Sequence, residues 1–265
     1  MVLFTVISTR IDGIKIKHTI NGISGVYLFN TIRRSLMNNL VAYKSNALIE
    51  ASYKLTLQEQ RVLLMCIGKL NPKDEPPEKT FELTAEEFYL AFPNMGTGNA
   101  ERHLQDAVDK LAERWIQIHW KNKKEEIRWI QQKAKYFGGE GRIELTFSDS
   151  IMPYLTQLKG QFTSIAVKNV SALKRTYSIR IYELLMQFKT TGDRLINVDD
   201  FRSMMGIDNK YSKFSELNKF VIKPAIKELN DKSDLMVTVD IVKKGRIANA
   251  LHFQFTQDNQ IKISI

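Results

Sequence analysis

From Thr56 to Phe255 the chain alternates between blocks of helical and strand-like hydrophobic periodicity. Leu57, Val62, Leu63, Cys66, Ile67 and Leu70 recur mostly at spacings of three to five, which predicts one apolar helix face ending at Asn71-Pro72. Thr56-Leu-Gln-Glu59 just ahead of it is a capping box, in which the hydroxyl and the carboxylate each satisfy a free amide at a helix start. After a charged, proline-bearing loop at 73–79, Thr84-Ala-Glu-Glu87 forms a second capping box and opens a short helix through Phe88 and Phe92. A turn at 93–98 follows. Asn99 then caps a helix running to about Arg114, with Leu104, Ala107, Val108, Leu111 and Trp115 facing inward. A hairpin over 116–137 closed by Gly138-Gly139, a strand over 143–147 and a helix near 149–158 complete this stretch.

A similar order then returns. A short strand near 162–167 precedes a helix over 177–189 whose core face is Ile181, Leu184, Leu185 and Phe188. Strand-like Leu195-Ile196-Asn197 leads into a helix over 198–205, which Gly206 terminates, and 207–212 is a turn. Phe214, Leu217, Val221, Ala225 and Leu229 then step at threes and fours through a helix over 213–230, and a hairpin spans 235–255. Two segments about 118 residues apart thus share one pattern. The first has Ala107, Val108 and Leu111, an apolar run from Trp115, a charged tip at 121–126 and a second run from Ile127. The second has Ala225, Ile226 and Leu229, a run over 235–242, a basic tip at 243–246 and a run over 247–255.

A helix followed by a hairpin with a charged tip is how a winged helix presents a recognition helix and a wing to DNA. Two copies of this length indicate a duplicated domain rather than a solenoid. The expected fold is therefore α+β, with two tandem winged-helix domains. Residues 37–159 form the first, for dimerisation and an auxiliary DNA contact, and 160–265 the second, for the main DNA contact. Residues 1–36 show no sustained period and carry three glycines, so they are expected to be an upstream extension or a weakly ordered arm, with Met37 a plausible start.

The net charge of +10 is uneven. Residues 1–36 carry five basic and one acidic residue, 37–159 carry 17 of each, and 160–265 carry 17 basic and 11 acidic. A polyanion partner is thus favoured at the second domain. There, opposite the apolar stripe of helix 213–230, stand Lys213, Ser215, Glu216, Lys219, Lys223 and Lys227, with Asn218 at the flank. Asn218 could read adenine, Lys213 or Lys219 could reach guanine or phosphate, and Lys223 and Lys227 suit the backbone. A solvated lysine face on an ordinary amphipathic helix is the bland alternative. Pro224 deprives Phe220's carbonyl of its usual donor, which predicts a bend. The tip Lys243-Lys244-Gly245-Arg246 places three cations around a glycine turn, suited to a minor groove or phosphates, or merely to protecting an edge. In the first domain Arg102 and His103 share a mixed face with Gln105, Asp106, Asp109, Lys110, Glu113 and Arg114, whose carboxylates would repel phosphate. Its clearly basic positions are Lys121, Lys123 and Lys124, diluted by Glu125 and Glu126.

Catalytic chemistry has little to stand on. His18, His103, His119 and His252 lack metal-ligand spacing, and there is no glycine-rich phosphate loop. Glu86-Glu87 and Asp199-Asp200 lie at helix starts, where capping and the helix dipole account for them. No enzyme activity, cofactor or metal is expected. Cys66, the single cysteine, sits in an apolar stretch and reads as a buried thiol. No apolar run is long enough to span a bilayer, so a soluble cytoplasmic protein without a membrane partner is expected.

Three segments carry a resemblance. Ser-Asn-Ala-Leu-Ile-Glu-Ala (45–51) with Tyr-Lys-Leu-Thr-Leu-Gln-Glu-Gln-Arg (53–61), then Tyr-Ser-Ile-Arg-Ile-Tyr-Glu-Leu-Leu (177–185), then Val-Ile-Lys-Pro-Ala-Ile-Lys-Glu-Leu-Asn (221–230) resemble, in that order, plasmid replication initiators of the initiator-Rep type. The resemblance spans about residues 40–256 and leaves 1–36 without a counterpart. It implies binding to iterons, the repeated double-stranded sites of a plasmid origin, by monomers acting with the host initiator and helicase-loading proteins. It also implies dimers, formed largely through the first domain, that often repress their own gene. A dedicated winged-helix repressor without an initiation role is the alternative.

Overall fold

The computed structural model describes residues 5–11, 14–20, 35–37, 39–71, 77–136, 141–156, 158 and 160–258. Most of the 73–79 loop, the Gly138-Gly139 closure and residues 1–4, 12–13 and 21–34 of the N-terminal stretch lie outside them. Within that stretch, β1 (Thr5–Ile11) and β2 (Ile14–Ile20) pair as an antiparallel hairpin.

The first unit opens with a strand that periodicity did not single out, β3 (Val41–Ser45), followed by the short α1 (Asn46–Glu50). Next comes α2 (Leu57–Lys69), whose Thr56–Glu59 capping box is formed in both directions. This helix buries more than one stripe, because every residue from Glu59 to Ile67 is shielded by the elements packed around it. Its charged members are paired accordingly. Glu59 accepts from Arg114 at 2.8 Å, and Arg61 donates to the Leu173 carbonyl at 3.0 Å and to Asn94 at 2.7 Å. Cys66 is buried, which pushes its thiol up to about 12 and leaves it an inert core residue.

Then follow β4 (Thr80–Thr84), α3 (Ala85–Ala91) with the second capping box intact, and α4 (Ala100–Leu111). Asn99 stands at the N-cap of α4, but its side chain accepts from Arg102 at 3.1 Å rather than from the helix backbone. The hairpin expected over 116–137 is two structures. β5 (Trp115–His119) pairs with β6 (Lys124–Arg128), while the chain continues past buried Trp129 into β7 (Ile130–Lys135), which pairs with β8 (Arg142–Phe147). The helix expected near 149–158 is a single 3-10 turn, Met152–Tyr154. Pro153 suits the start of such a turn and cannot donate to continue a preceding one.

Next come β9 (Phe162–Ala166), α5 (Val167–Val170) and α6 (Thr176–Met186), after which the second unit runs β10 (Asp193–Asn197) and α7 (Val198–Met204). A long helix in three segments follows, α8 (Phe214–Leu217), a π turn (Asn218–Ile222) and α9 (Lys223–Lys232). It closes with β11 (Leu235–Lys244) and β12 (Ile247–Gln257). Its sheet has the order β10-β12-β11, and the first unit has the matching order β4-β8-β7. The element that repeats β11–β12 is therefore β7–β8, and β5–β6 is an addition. The duplication expected from periodicity is present, but its first hairpin lies one strand pair further along the chain.

Two distant segments are joined across the Gly160 region. β9 pairs antiparallel with β3 in the register Val41↔Ala166 to Ser45↔Phe162. Beneath this ribbon α6 carries Arg180 and Glu183, both buried. Glu183 accepts from Lys44 Nζ at 2.6 Å, from Arg180 at 2.6 Å and from the Tyr53 hydroxyl at 3.3 Å. Arg180 also donates to Tyr53 and to the carbonyls of Ile49 at 2.9 Å, Ala51 at 3.2 Å and Met204 at 3.0 Å. Burial pushes the Glu183 carboxyl up, but Lys44 and Arg180 outweigh it and hold the group below its ordinary value.

Removing one partner of such a buried pair strands the others without compensation. Glu183→Gln is expected to lower stability by about 3–5 kcal/mol in urea unfolding at neutral pH. Because the folded-state carboxyl is depressed, its contribution is present above about pH 4.5 and lost as pH falls through the lower folded value. The variant should accordingly show a flatter acid limb of stability against pH than the parent chain.

Candidate nucleic-acid interface

In the second unit α7, a turn and the long helix form a helix-turn-helix. Gly206 ends α7 at φ +63, and an added Cβ there would meet the Tyr53 carbonyl oxygen at 2.7 Å. The turn is tied back by Arg202, which donates to the carbonyls of Lys210 at 2.7 Å and Ser212 at 3.4 Å. Tyr211 takes a left-handed conformation at φ +53, and its ring stacks on Phe220 with centroids 6.0 Å apart.

The bend expected at Pro224 takes the form of the π turn. Just ahead of the proline, the Lys223 N–H reaches back five residues to the Asn218 carbonyl. The extra residue changes which side chains meet the core, since Val221 and Ile222 are both buried and the stripe reads 217, 221, 222, 225, 229. Phe214, expected inside, is half-buried, and Phe220 is exposed. Lys213, Ser215, Lys219, Lys223 and Lys227 are all exposed and Asn218 is half-buried. Lys227 pairs with Asp231 at 2.6 Å, and the Lys219 ammonium lies 5.2 Å from the centre of the Phe220 ring. Among the described residues no carboxylate pairs with Lys213, Lys219 or Lys223.

Beyond this helix β11 and β12 extend as a wing. A bulge changes the register from Val242↔Ala250 to Lys243↔Ala248, and Gly245 turns the chain at φ +63 in open space. Lys243, Lys244 and Arg246 are exposed at the tip. So are Ile241, Val242 and Ile247, the last at 73%. Sequence reasoning counted these three only as strand formers. The signal that could have flagged them is length, because the apolar run continues past the point where the helices can cover it.

In the first unit Arg102 is exposed and His103 half-buried on α4. Asp109, expected to repel phosphate, is neutralised by Lys133 at 2.6 Å and Lys135 at 2.5 Å from β7, and these two cations hold its carboxyl below the ordinary value. Lys121, Lys123 and Lys124 stand exposed at the tip of β5–β6, apart from the β4–β8–β7 sheet. Lys123 pairs with Glu125 at 3.4 Å and Lys124 with Glu126 at 3.0 Å, so little of their charge is unopposed. The structure thus groups the candidate residues of the recognition helix and wing on one unit, and it leaves those of α4 and the β5–β6 tip on two separate elements of the other.

A helix-turn-helix followed by a three-stranded sheet, present twice, with basic side chains free on one recognition helix and wing, defines a tandem winged-helix DNA-binding protein. Residues 41–186 match the first winged-helix domain of the initiator replication proteins, and residues 197–255 match the second. The chain belongs to that family. A replication initiation protein of Escherichia coli is 35% identical over 237 residues, which cover 86% of this chain and 73% of that protein. The PI protein of Escherichia coli is 26% identical over 254 residues, covering 80% and 81%. Among solved structures, the Pi initiator protein in complex with iteron DNA superposes with a TM-score of 0.70 at 21% identity, covering 84% of this chain and 99% of that one. Among the described residues no helix is long and apolar enough to cross a membrane, and no cluster of His, Cys, Asp and Glu could hold a metal ion.

The Gly206 turn abuts the Tyr53 carbonyl, so the helix-turn-helix packs closely against the segment after α1. Gly206→Ala is expected to lose about 1–3 kcal/mol from the positive φ alone, with the clash adding to it. A fall in the urea midpoint at unchanged slope would show this.

Proposed function

We propose that the chain initiates plasmid replication by binding repeated double-stranded sites in the origin, with the second unit, residues 160–265, as the main grip. The observation that carries this reading is the set of exposed cations on the recognition helix, Lys213, Lys219 and Lys223, continued by Lys243, Lys244 and Arg246 on the wing. None of them is opposed by a carboxylate among the described residues. The family membership and the likeness to an initiator solved on iteron DNA support it. In this reading Lys219, Ser215 and Asn218 face base edges, Lys223 and Lys227 contact phosphates, and the wing cations enter the minor groove or grip the backbone. The first unit, residues 37–159, supplies a weaker contact through Arg102, His103, Lys121, Lys123 and Lys124. It also supplies a surface for a second copy, in keeping with its balanced charge. Dimers then repress the chain's own gene, and monomers on DNA meet the host initiator and helicase-loading proteins.

Footprinting on DNA flanking the gene tests this directly. Protection of several direct repeats of one orientation is expected, whereas a single inverted repeat at the promoter would mean a dedicated repressor. Lys219→Gln should cost about 1–3 kcal/mol on the repeat and less on random duplex. Neutralising Lys243, Lys244 and Arg246 together should weaken both DNAs alike. Normal replication of a plasmid dependent on a chain carrying all four neutral residues would overturn the reading.

A further inference from the structure

Among the cations outside the recognition helix and wing, four lie near one another at the foot of the helix-turn-helix. Lys54, Lys174, Arg175 and Lys210 are all exposed, and among the described residues none pairs with a carboxylate. Lys54 belongs to the first unit, in the segment between α1 and α2, and Lys210 to the turn of the helix-turn-helix. Their ammonium groups are close enough that Lys210 holds Lys54 below the ordinary lysine value, with Arg114 adding to the effect. Arg114 itself is committed to Glu59.

Lys174 and Arg175 precede α6 and stand between two grooves. One, of about 420 Å³, has Lys54, Lys174, Arg175 and Phe220 in its walls. The other, of about 680 Å³, runs from Lys174 and Arg175 to Lys223 and Lys227 on the long helix. The acidic groups bordering the second groove are already used. Glu228 accepts from the backbone N–H of Lys174 and of Arg175, both at 3.0 Å, and from Ser178 at 2.7 Å, while Asp231 holds Lys227. The backbone donors at this helix start are therefore occupied, and what faces outward is side-chain charge. Two like charges side by side with no counter-charge between them disfavour each other. An anion placed between them removes that cost.

We infer that Lys210, Lys54, Lys174 and Arg175 form a phosphate-binding strip that crosses the junction of the two units and continues, through Lys223, the backbone contact of the recognition helix. Its ligand is the phosphodiester backbone of duplex DNA beside the bases that the helix reads. This rests on the DNA-binding reading above and extends it, because the strip carries no base-reading geometry. It fixes how both units sit on the duplex, independently of sequence.

The test uses the full chain with the double variants Lys54→Gln/Lys210→Gln and Lys174→Gln/Arg175→Gln. Affinity for a repeat duplex and for a random duplex is measured across a salt series. Removing one cation from a phosphate lowers the slope of log K against log salt by about 0.9, so each double variant is expected to lower it by about 1–2. Both duplexes should weaken by a similar factor, about tenfold or more near physiological salt. Lys54→Arg/Lys210→Arg should keep the parental slope. Unchanged slopes in both Gln doubles, with the parent chain still binding, would overturn the strip alone. A weakening confined to the repeat duplex would also overturn it, since that marks base reading. Failure of the parent chain to bind either duplex would overturn the strip and the reading it rests on together.

Discussion

Everything else in the molecule is hung on one buried guanidinium. Arg180 reaches three backbone carbonyls, one in α1, one just after it and one at the end of α7, while sharing Glu183 with Lys44 and Tyr53. A planar group with five donors can satisfy several acceptors at fixed angles, which a lysine could not do. The arrangement stabilises little in net terms, because desolvating the charges offsets most of their attraction. What it contributes is uniqueness. Moving α6 away from β3 would part Lys44 from Glu183 and leave a buried charge unpaired, so this contact is set by chemistry as well as by shape.

The same constraint explains the short motifs. Tyr53, Thr56, Glu59 and Arg61, then Ser178, Arg180 and Glu183, then Glu228 and Asn230 are among the polar positions of the three segments that resemble the initiators. Most of them are turned inward. Asn230, for instance, exchanges hydrogen bonds with the Val237 backbone at 3.0 and 2.7 Å, fixing β11 to the end of the long helix. Those segments are thus legible because interior polar contacts tolerate few residue types, whereas a basic surface tolerates many. They identify the scaffold, while the reading residues are left to be inferred from exposure and charge.

Local rules were legible where local physics decides. Both capping boxes, the Gly206 stop and the Gly245 turn stand where residue type alone predicts them. Long-range pairing was not. β3 finds its partner some 120 residues away, and nothing in Val41–Ser45 names Phe162–Ala166. The first hairpin lies one strand pair later than periodicity places it, because β6 and β7 read as a continuous run and only the partner of each half separates them. The π turn was half visible. Pro224 announced a disturbance, but whether the chain would kink or insert a residue depends on which choice buries Ile222.

The β3–β9 ribbon has a further consequence for how the protein is made. A chain emerging from the ribosome exposes Val41–Ser45 early, yet the strand that completes its hydrogen bonds emerges only with Phe162–Ala166. Glu183, which neutralises Lys44, emerges later still. β3 therefore keeps an open edge until β9 has been synthesised, and non-local pairing of this kind is slow to form and exposes the edge to association. The stretch that matches the first winged-helix domain, residues 41–186, thus closes on itself only when its own last strand and helix have emerged.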